Sequence, residues 1–544
     1  MNKNIKNMNK NIKNLLSAAA VSLSLLGMAS CTGDLDVKPI DPNMNTQVNP
    51  TALFNKCYAN LAMSGNSTGD DQCDIDGLDG GTAGFIRQLW NSNEMTTDEA
   101  ICHWSDAGIR EFCYNTYDDS HPMLNGLFAR LTTGISYCNQ YINECGDKDA
   151  TKTAEVRFLR ALEYYFLMDA FGNVPFATTL EKPVRYTRAE MYAWLEKELL
   201  EIEPQMSEAK SKTSSDAGYY RADKAAVWML LSRLYLNAEV YTGTPQWQKA
   251  ADYAQRVMKS DYHLNLTGVG KWSAYQMLFM GDNGETSAAR EGVFRIGQDG
   301  VTTTSWAGTL FLMAGAYDGD MHADVTGTYP QATNGTGQAW GGNRARKDLI
   351  NKFFPNGDAP NVSCTEMPAA ANDDRAIFDG KDRTLDNGDG YLSSFKAGFA
   401  VAKWNNFKTD NSVGKNDNYP DTDFFLFRVA EAYLTYAEAT ARLNGGTTTK
   451  EGTDAVNALR DRAHAVKRSA YSLSDLCDEW SREFYYEGLR RPTLIRFGRF
   501  GGNNNYNWSY KGGAKAGRNF DAYRNIFAIP AAQVKGAITQ NPGY

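Results

Sequence analysis

The chain is poor in the residues and spacings that carry metal and acyl-transfer chemistry. Its five histidines (His103, His121, His263, His322, His464) form no H-E-x-x-H, and none of its nine cysteines stands in a C-x-x-C. Zinc-hydrolase and zinc-ribbon readings therefore have no ligand set to start from. Gly335-Thr336-Gly337 and Gly268-Val269-Gly270 lack the third glycine of a dinucleotide loop. Gly65-Asn66-Ser67-Thr68-Gly69 spells G-x-S-x-G, but no strand-turn-helix pattern surrounds it as a nucleophile elbow requires. A basic surplus is also missing. Lysine and arginine number 56 against 64 acids, a net charge of −8, which argues against nucleic acid and disfavours polyanionic ligands. After Cys31 no apolar run is long enough to span a bilayer. Acidic clusters exist (Asp74/Asp76/Asp79 and Asp98/Glu99) and could serve a glycosidase. Among 64 acids such pairs arise by chance, so no enzyme reading rises above background.

What is present begins at the N-terminus. Lys3, Lys6, Lys10 and Lys13 precede the apolar run Leu15–Met28, and Ala29-Ser30 leads into Cys31. A basic start, an apolar middle and a small-residue cleavage site make a secretory signal. At 14 residues the run is short of the roughly 20 needed to cross a membrane as a helix. Met28-Ala29-Ser30-Cys31 resembles a bacterial lipobox, in which the cysteine is acylated and becomes the first mature residue; a plain secretory signal that ends at a cysteine is the alternative. Each buried acyl methylene adds about 0.8 kcal/mol of membrane attachment. The four lysines and no acids before Cys31 mean that the −8 of the whole chain becomes −12 from Cys31 onward. Residues 32–50, rich in Pro, Asn and Asp, read as a tether. The eight cysteines beyond Cys31 are expected to be buried small hydrophobes, without an assigned pairing.

Helical spacing is clearest in AEVRFLRALEYYFLMDAF from Ala154, stopped by Gly172 and Pro175. Further helices are expected over 51–63, 122–145, 222–240, 247–258, 426–443, 454–465 and 475–488, and a short strand over Ile526–Ile529. Trp228, Leu231, Ser232 and Tyr235 match the heart of a tetratricopeptide repeat; Phe158/Ala161/Tyr165 and, more loosely, Phe427/Ala430/Leu434 repeat the shape. The expected fold is mainly α, a tetratricopeptide-like helical-repeat scaffold interrupted by a large loop-rich insert, with simple amphipathic helices as the alternative. The division is signal 1–30, tether 31–50, an N-terminal region 51–261, the insert 262–420 and a closing region 421–544. Loops on a rigid frame are where binding residues concentrate.

Trp104, Trp306 and Trp340 lie in small-residue surroundings: CHWSDAG, TTTSWAG and GQAWGG. An indole with no periodic core face to join either caps a core edge or offers an exposed flat surface. The second arrangement suits a pyranose ring, with nearby Asp, Asn and Arg for its hydroxyls.

Several long, co-linear segments resemble the RagB/SusD family of outer-membrane lipoproteins: DLDVKPIDP after Cys31, FIRQLWNSNEMTTDEA, EVRFLRALEYYFLMDAFGNVPF, RADKAAVWMLLSRLYLNAEVYTG, YPDTDFFLFRVAEAYLTYAEA, DEWSREFYYEGLRRPTLIRFG and the final IPAAQV…NPGY. The resemblance implies a non-enzymatic, cell-surface lipoprotein, anchored through Cys31, that binds a neutral oligo- or polysaccharide. It would deliver that glycan to a SusC-like TonB-dependent transporter. By similarity to the family's starch-binding member, the glycan contacts fall on Asp79, Arg87, Trp104, Trp306 and Trp340. Cys102 and Ala107 stand where that member has a second tryptophan and an asparagine, so one hydrogen-bonding site is lost and the glucan stays open. A calcium site there matches Asp421 and Asp423, with Gly284 at its third position. A branch of the family takes oligopeptides, which is one alternative, and a lipid-anchored glycoside hydrolase is another.

Overall fold

The computed structural model describes residues 48–65, 73–321 and 331–544. The signal, Cys31, the tether up to residue 47 and most of the 65–69 G-x-S-x-G stretch lie outside the described residues. Pro50–Tyr544 form one unit that is mainly helical, as expected. Its longer helices are α1 (Pro50–Ala62), α2 (Phe85–Asn93), α3 (Pro122–Cys145), α4 (Ala150–Phe171), α5 (Arg188–Ile202), α6 (Lys224–Leu236) and α7 (Trp247–Met258), followed after the insert by α8 (Val429–Leu443), α9 (Lys450–Arg462) and α10 (Leu473–Phe484). No described helix is long and apolar enough to cross a membrane.

Local chemistry sets the helix starts. Asp149 caps α4 by accepting from Lys152 N, and Asp223 caps α6 through Ala225 and Ala226 N. Thr187 and Ser472 open α5 and α10 with reciprocal capping boxes, each satisfying N–H groups that a helix leaves without partners. The repeat positions are core: Leu231, Tyr235, Phe158, Ala161, Tyr165, Ala430 and Leu434 are all buried. Small Ser232 lets α7 approach, and its hydroxyl donates to Ala250 O at 3.3 Å. Helix α7 packs on α6 and on α8. The repeat scaffold is therefore discontinuous in sequence and continuous in space.

Two expectations change. Phe424–Arg428 is a strand that pairs antiparallel with Gly292–Ile296, so Phe427 is not helical. Ile526–Ile529 forms no strand; Phe527 N donates instead to Ala170 O at the end of α4. The insert is loops and short elements, as expected. Three of its strands join Ala100–Cys102 of the N-terminal region in a four-stranded antiparallel sheet, in the order β1 (Ala100–Cys102), β2 (Asn343–Ala345), β4 (Ala400–Val401), β3 (Phe378–Asp379). The eight described cysteines are free thiols, and all but Cys73 are buried.

Charged side chains fasten the insert to the helices. Arg428 donates to Glu291, Glu483 and Glu487 at 2.7, 3.1 and 2.8 Å, with all four side chains nearly or wholly removed from solvent. Arg462 joins Glu291 and Glu483, Arg375 joins Asp373, Glu479 and Glu483, and Lys403 joins Glu487. Burial favours a neutral Glu483, but Arg462, Arg428 and Arg375 outweigh it and hold the carboxyl at about 2. Each ion in this network is compensated, the condition under which buried charge is tolerable.

Candidate functional site

The β1–β2 ladder draws two of the tryptophans together. Ala100 pairs with Ala345 and Cys102 with Asn343, and the ladder extends through His103 N to Gly342 O. Trp104 leaves one side of this ladder and Trp340 enters the other. Trp104 donates its indole N–H to Gly341 O at 3.1 Å and lies over Gly342, where a Cβ would stand 2.2 Å from the ring. Glycine is required there by space. Trp340 is held by its backbone N–H to Ala314 O and by its indole N–H to Gln338 Oε1 at 2.8 Å. Gln338 is in turn anchored to Asn418 Oδ1 at 2.9 Å.

Trp306 arrives from a separate loop. Arg87 N in the first turn of α2 donates to Ala307 O, and a Cβ on Gly84 would come within 2.5 Å of Ala307 Cβ. This close approach seats Trp306 beside the other two indoles. The ring centroids of Trp104 and Trp340 are 6.4 Å apart, those of Trp340 and Trp306 6.1 Å, with tilts of 54° and 44°. Tyr419 continues the row, 5.0 Å from Trp306. The three indoles are half-buried; Trp306 and Trp340 pack on Leu310, Ala314 and Tyr419, and Trp104 meets the Phe311 ring at 6.2 Å. Packed from behind and open in front, they form a curved aromatic surface.

Arg87 sits under one end. Its guanidinium lies 4.7 Å from the Phe311 ring centroid and 5.8 Å from that of Trp104, and Nη1 donates to Gly81 O at 2.7 Å. The residue is only 8% exposed, no described carboxylate is within ion-pair distance, and Nε has no hydrogen-bond partner. Burial lowers its pKa, offset by the more distant Asp106 and Asp79. A buried donor without an acceptor is costly, so this group is set to gain from ligand oxygens. Asp79 is exposed; a Cβ on neighbouring Gly81 would lie 3.3 Å from Asp79 Oδ1 and 3.7 Å from Trp306 Cβ, which puts Asp79 on the Trp306 side. All five residues singled out in the sequence thus meet on one face. Of the two departures, Ala107 is exposed, whereas Cys102 is fully buried within β1. Sequence reasoning missed Tyr419, Gln338 and Asn418, which no local spacing connects to the indoles.

The metal and hydrolase alternatives meet different surroundings. Asp421 accepts from Gly300 N and Lys415 N, both at 2.9 Å, and Asp423 accepts from Gln298 N and from the Tyr219 hydroxyl, both at 2.9 Å. The Tyr219 hydroxyl also occupies the space beside Gly284, within 2.6 Å of a Cβ placed there. Burial pushes Asp423 up to about 7, countered by those same donors and by Arg295. No group of three metal-binding side chains occurs among the described residues. The pair does not fit calcium, which wants six to eight oxygens; its oxygens are committed to N–H and O–H donors that hold the 298–300 segment of the Trp306 loop. Asp98 is sealed from solvent, bonded to Arg490 at 2.6 and 2.7 Å, to Lys352 at 2.9 Å and to the Tyr506 hydroxyl at 2.7 Å. Burial favours its neutral form, but Arg490 and Lys352 overcome it and hold the carboxyl well below the usual range. It can neither reach a glycosidic oxygen nor keep a proton to give.

Comparison with known proteins agrees with this architecture. Residues 35–236 match the family model described as starch-binding associating with outer membrane, and residues 384–544 match that of the SusD family. The starch-binding protein SusD of Bacteroides thetaiotaomicron is 36% identical, across 97% of this chain and 98% of its own. A SusD-like protein of Bacteroides fragilis superimposes with a TM-score of 0.65 at 17% identity, covering 93% of this chain and all of the other. A laminarin-binding SusD-like protein does so with a TM-score of 0.61 at 18% identity, covering 91% and 99%.

Proposed function

The chain belongs to the SusD family, and on that footing we propose that it captures a neutral glucan at the cell surface and passes it to a SusC-like TonB-dependent transporter. Cys31 carries the lipid that holds it on the outer membrane, and the protein binds without hydrolysing. The observation that supports this reading best is the row Trp104–Trp340–Trp306, with Arg87 beneath it, whose Nε lacks an acceptor. Pyranose rings present flat apolar faces to indoles and hydroxyls to a guanidinium. No described carboxylate stands within ion-pair distance of Arg87, and the sealed Asp98 is a poor general acid. The test is isothermal titration of the full chain in detergent with starch, xyloglucan, mixed-linkage glucan and laminarin. Binding of one of them, weakened at least about tenfold (near 1.4 kcal/mol) in both Trp306→Ala and Trp340→Ala, is expected. Unchanged affinity in both variants overturns the aromatic row as the site.

A further inference from the structure

A second cavity shares the loop that carries Trp306. Its volume is about 420 Å³, inside the roughly 300–1,000 Å³ range of small-molecule sites. Phe54 of α1 and Phe294 form an apolar floor, both buried, and Tyr220, 43% exposed, forms a wall. The Tyr220 ring is braced from behind: a Cβ on Gly297 would meet its carbons at 2.6 to 3.0 Å, and the Tyr219 ring meets it edge-on at 4.7 Å. What remains is a fixed, flat aromatic surface facing an open cavity.

Polar groups at the rim are unengaged. The Asn55 amide and the Thr303 hydroxyl make no hydrogen bond among the described residues, and Arg221 uses Nε and Nη2 on Glu155 while Nη1 donates to nothing. Glu155 neutralises Arg221; the other cation in the lining, Arg295, is buried and directs its Nη1 and Nη2 at the carbonyls of Tyr219, Ala289 and Gly292. One aromatic wall, an apolar floor and a few neutral-equivalent donors and acceptors describe a site for a polyhydroxylated ring.

Position links the cavity to the tryptophan row. Thr303 lines it, and Trp306 follows three residues later, at most about 11 Å along the chain. The turn that leads into Thr303 is stiff: Thr303 N donates to Asp299 O, and the Asp299 carboxylate accepts from Val301 N and Thr302 N at 2.9 Å each. Asp421 and Asp423 fix its base.

We propose that this cavity is a second glucan subsite, holding a sugar unit further along the chain that stacks on Trp306, with Tyr220 as its platform and Asn55, Thr303 and Arg221 as its hydrogen-bonding rim. The proposal rests on the glucan-binding reading above. It makes affinity depend on chain length, because short ligands fill the tryptophan row and leave the cavity empty.

The experiment is titration of the full chain in detergent with a trisaccharide and a heptasaccharide, taken from both the malto and laminari series. Tyr220→Ala should weaken heptasaccharide binding about fivefold, the scale of one aromatic contact, and leave the trisaccharide unchanged. Asn55→Ala, at an exposed helix position, should act in the same direction and more weakly. Equal affinities of wild type for both lengths, no effect of either variant, or an equal loss for both lengths overturns the second subsite while leaving the tryptophan site standing. If wild type binds neither these series nor xyloglucan or mixed-linkage glucan fragments of the same two lengths, the glucan reading itself fails and this inference with it.

Discussion

Trp340 donates its indole N–H to the Gln338 amide, and Gln338 donates onward to Asn418, so the central ring of the row is held from a segment nearly 80 residues away in sequence. Neither amide needs to touch a ligand to matter, since an indole free to turn loses the spacing of 6.4 and 6.1 Å to its neighbours. Gln338→Ala should weaken glucan binding by twofold to tenfold, matching the ~0.5–1.5 kcal/mol of one hydrogen bond. Titration calorimetry reads the loss, and the tryptophan fluorescence spectrum of the free protein should shift with it. Unaltered affinity and spectrum would mean that backbone packing alone positions Trp340.

Gly342 makes the sharper steric test. A methyl there would stand 2.2 Å from Trp104 Cε2 and 2.3 Å from its Nε1. Trp104 must tilt and give up its bond to Gly341 O. Gly342→Ala should therefore cost at least about tenfold in affinity, with little change in thermal midpoint because the indole stands at a half-buried edge. Calorimetric titration beside differential scanning calorimetry separates the two effects.

These contacts also mark how far the sequence could be read. Helices α3, α4, α6 and α7 were legible because a 3.6-residue period ran between recognisable ends, Asp149 and Gly172 for α4, Asp223 for α6. Phe424–Arg428 was not, because FFLFR is apolar throughout and suits either a helix or a buried strand; its partner, Gly292–Ile296, lies some 130 residues earlier. The isolated Ile526–Ile529 looked like a strand and found no neighbour to pair with. In the site, Trp104, Trp306 and Trp340 declared themselves through their small flanking residues, which the structure explains by close approaches at Gly342 and Gly84. Tyr419 and Asn418 did not, since only the folded insert brings residue 418 beside 338.

Asp423 should behave as a protonated hydrogen-bonding group, without a metal. Its folded pKa near 7 lies above the unfolded value. A raised pKa contributes stability that is present in acid and is lost as pH rises through the folded value. Asp423→Asn, which lacks that titration, should gain on wild type in thermal midpoint as pH rises from about 4, near the unfolded value, to about 7, the folded one. Calcium provides the second arm: at a hundred times its Kd it would add about 2.7 kcal/mol. Equal midpoints in calcium and in chelator are expected, and a clear rise with calcium would restore the metal site.

Acid should unfasten the insert from the helices through Glu483. Three arginines, Arg462, Arg428 and Arg375, share this carboxylate and hold it at about 2 against a burial effect that opposes them. The unfolded value is near 4.3. A depressed carboxylate contributes stability above the unfolded pKa and loses it as pH falls through the folded one. Wild-type stability should therefore fall between about pH 4.5 and pH 2. Glu483→Gln removes the central anion and leaves buried guanidinium charge without compensation, a loss of about 3–5 kcal/mol at neutral pH. Part of the acid sensitivity should vanish with it, so urea-denaturation curves for the variant should change less with pH than those of wild type. Parallel curves would show that the arginines are satisfied by Glu291, Glu479 and Glu487 without it.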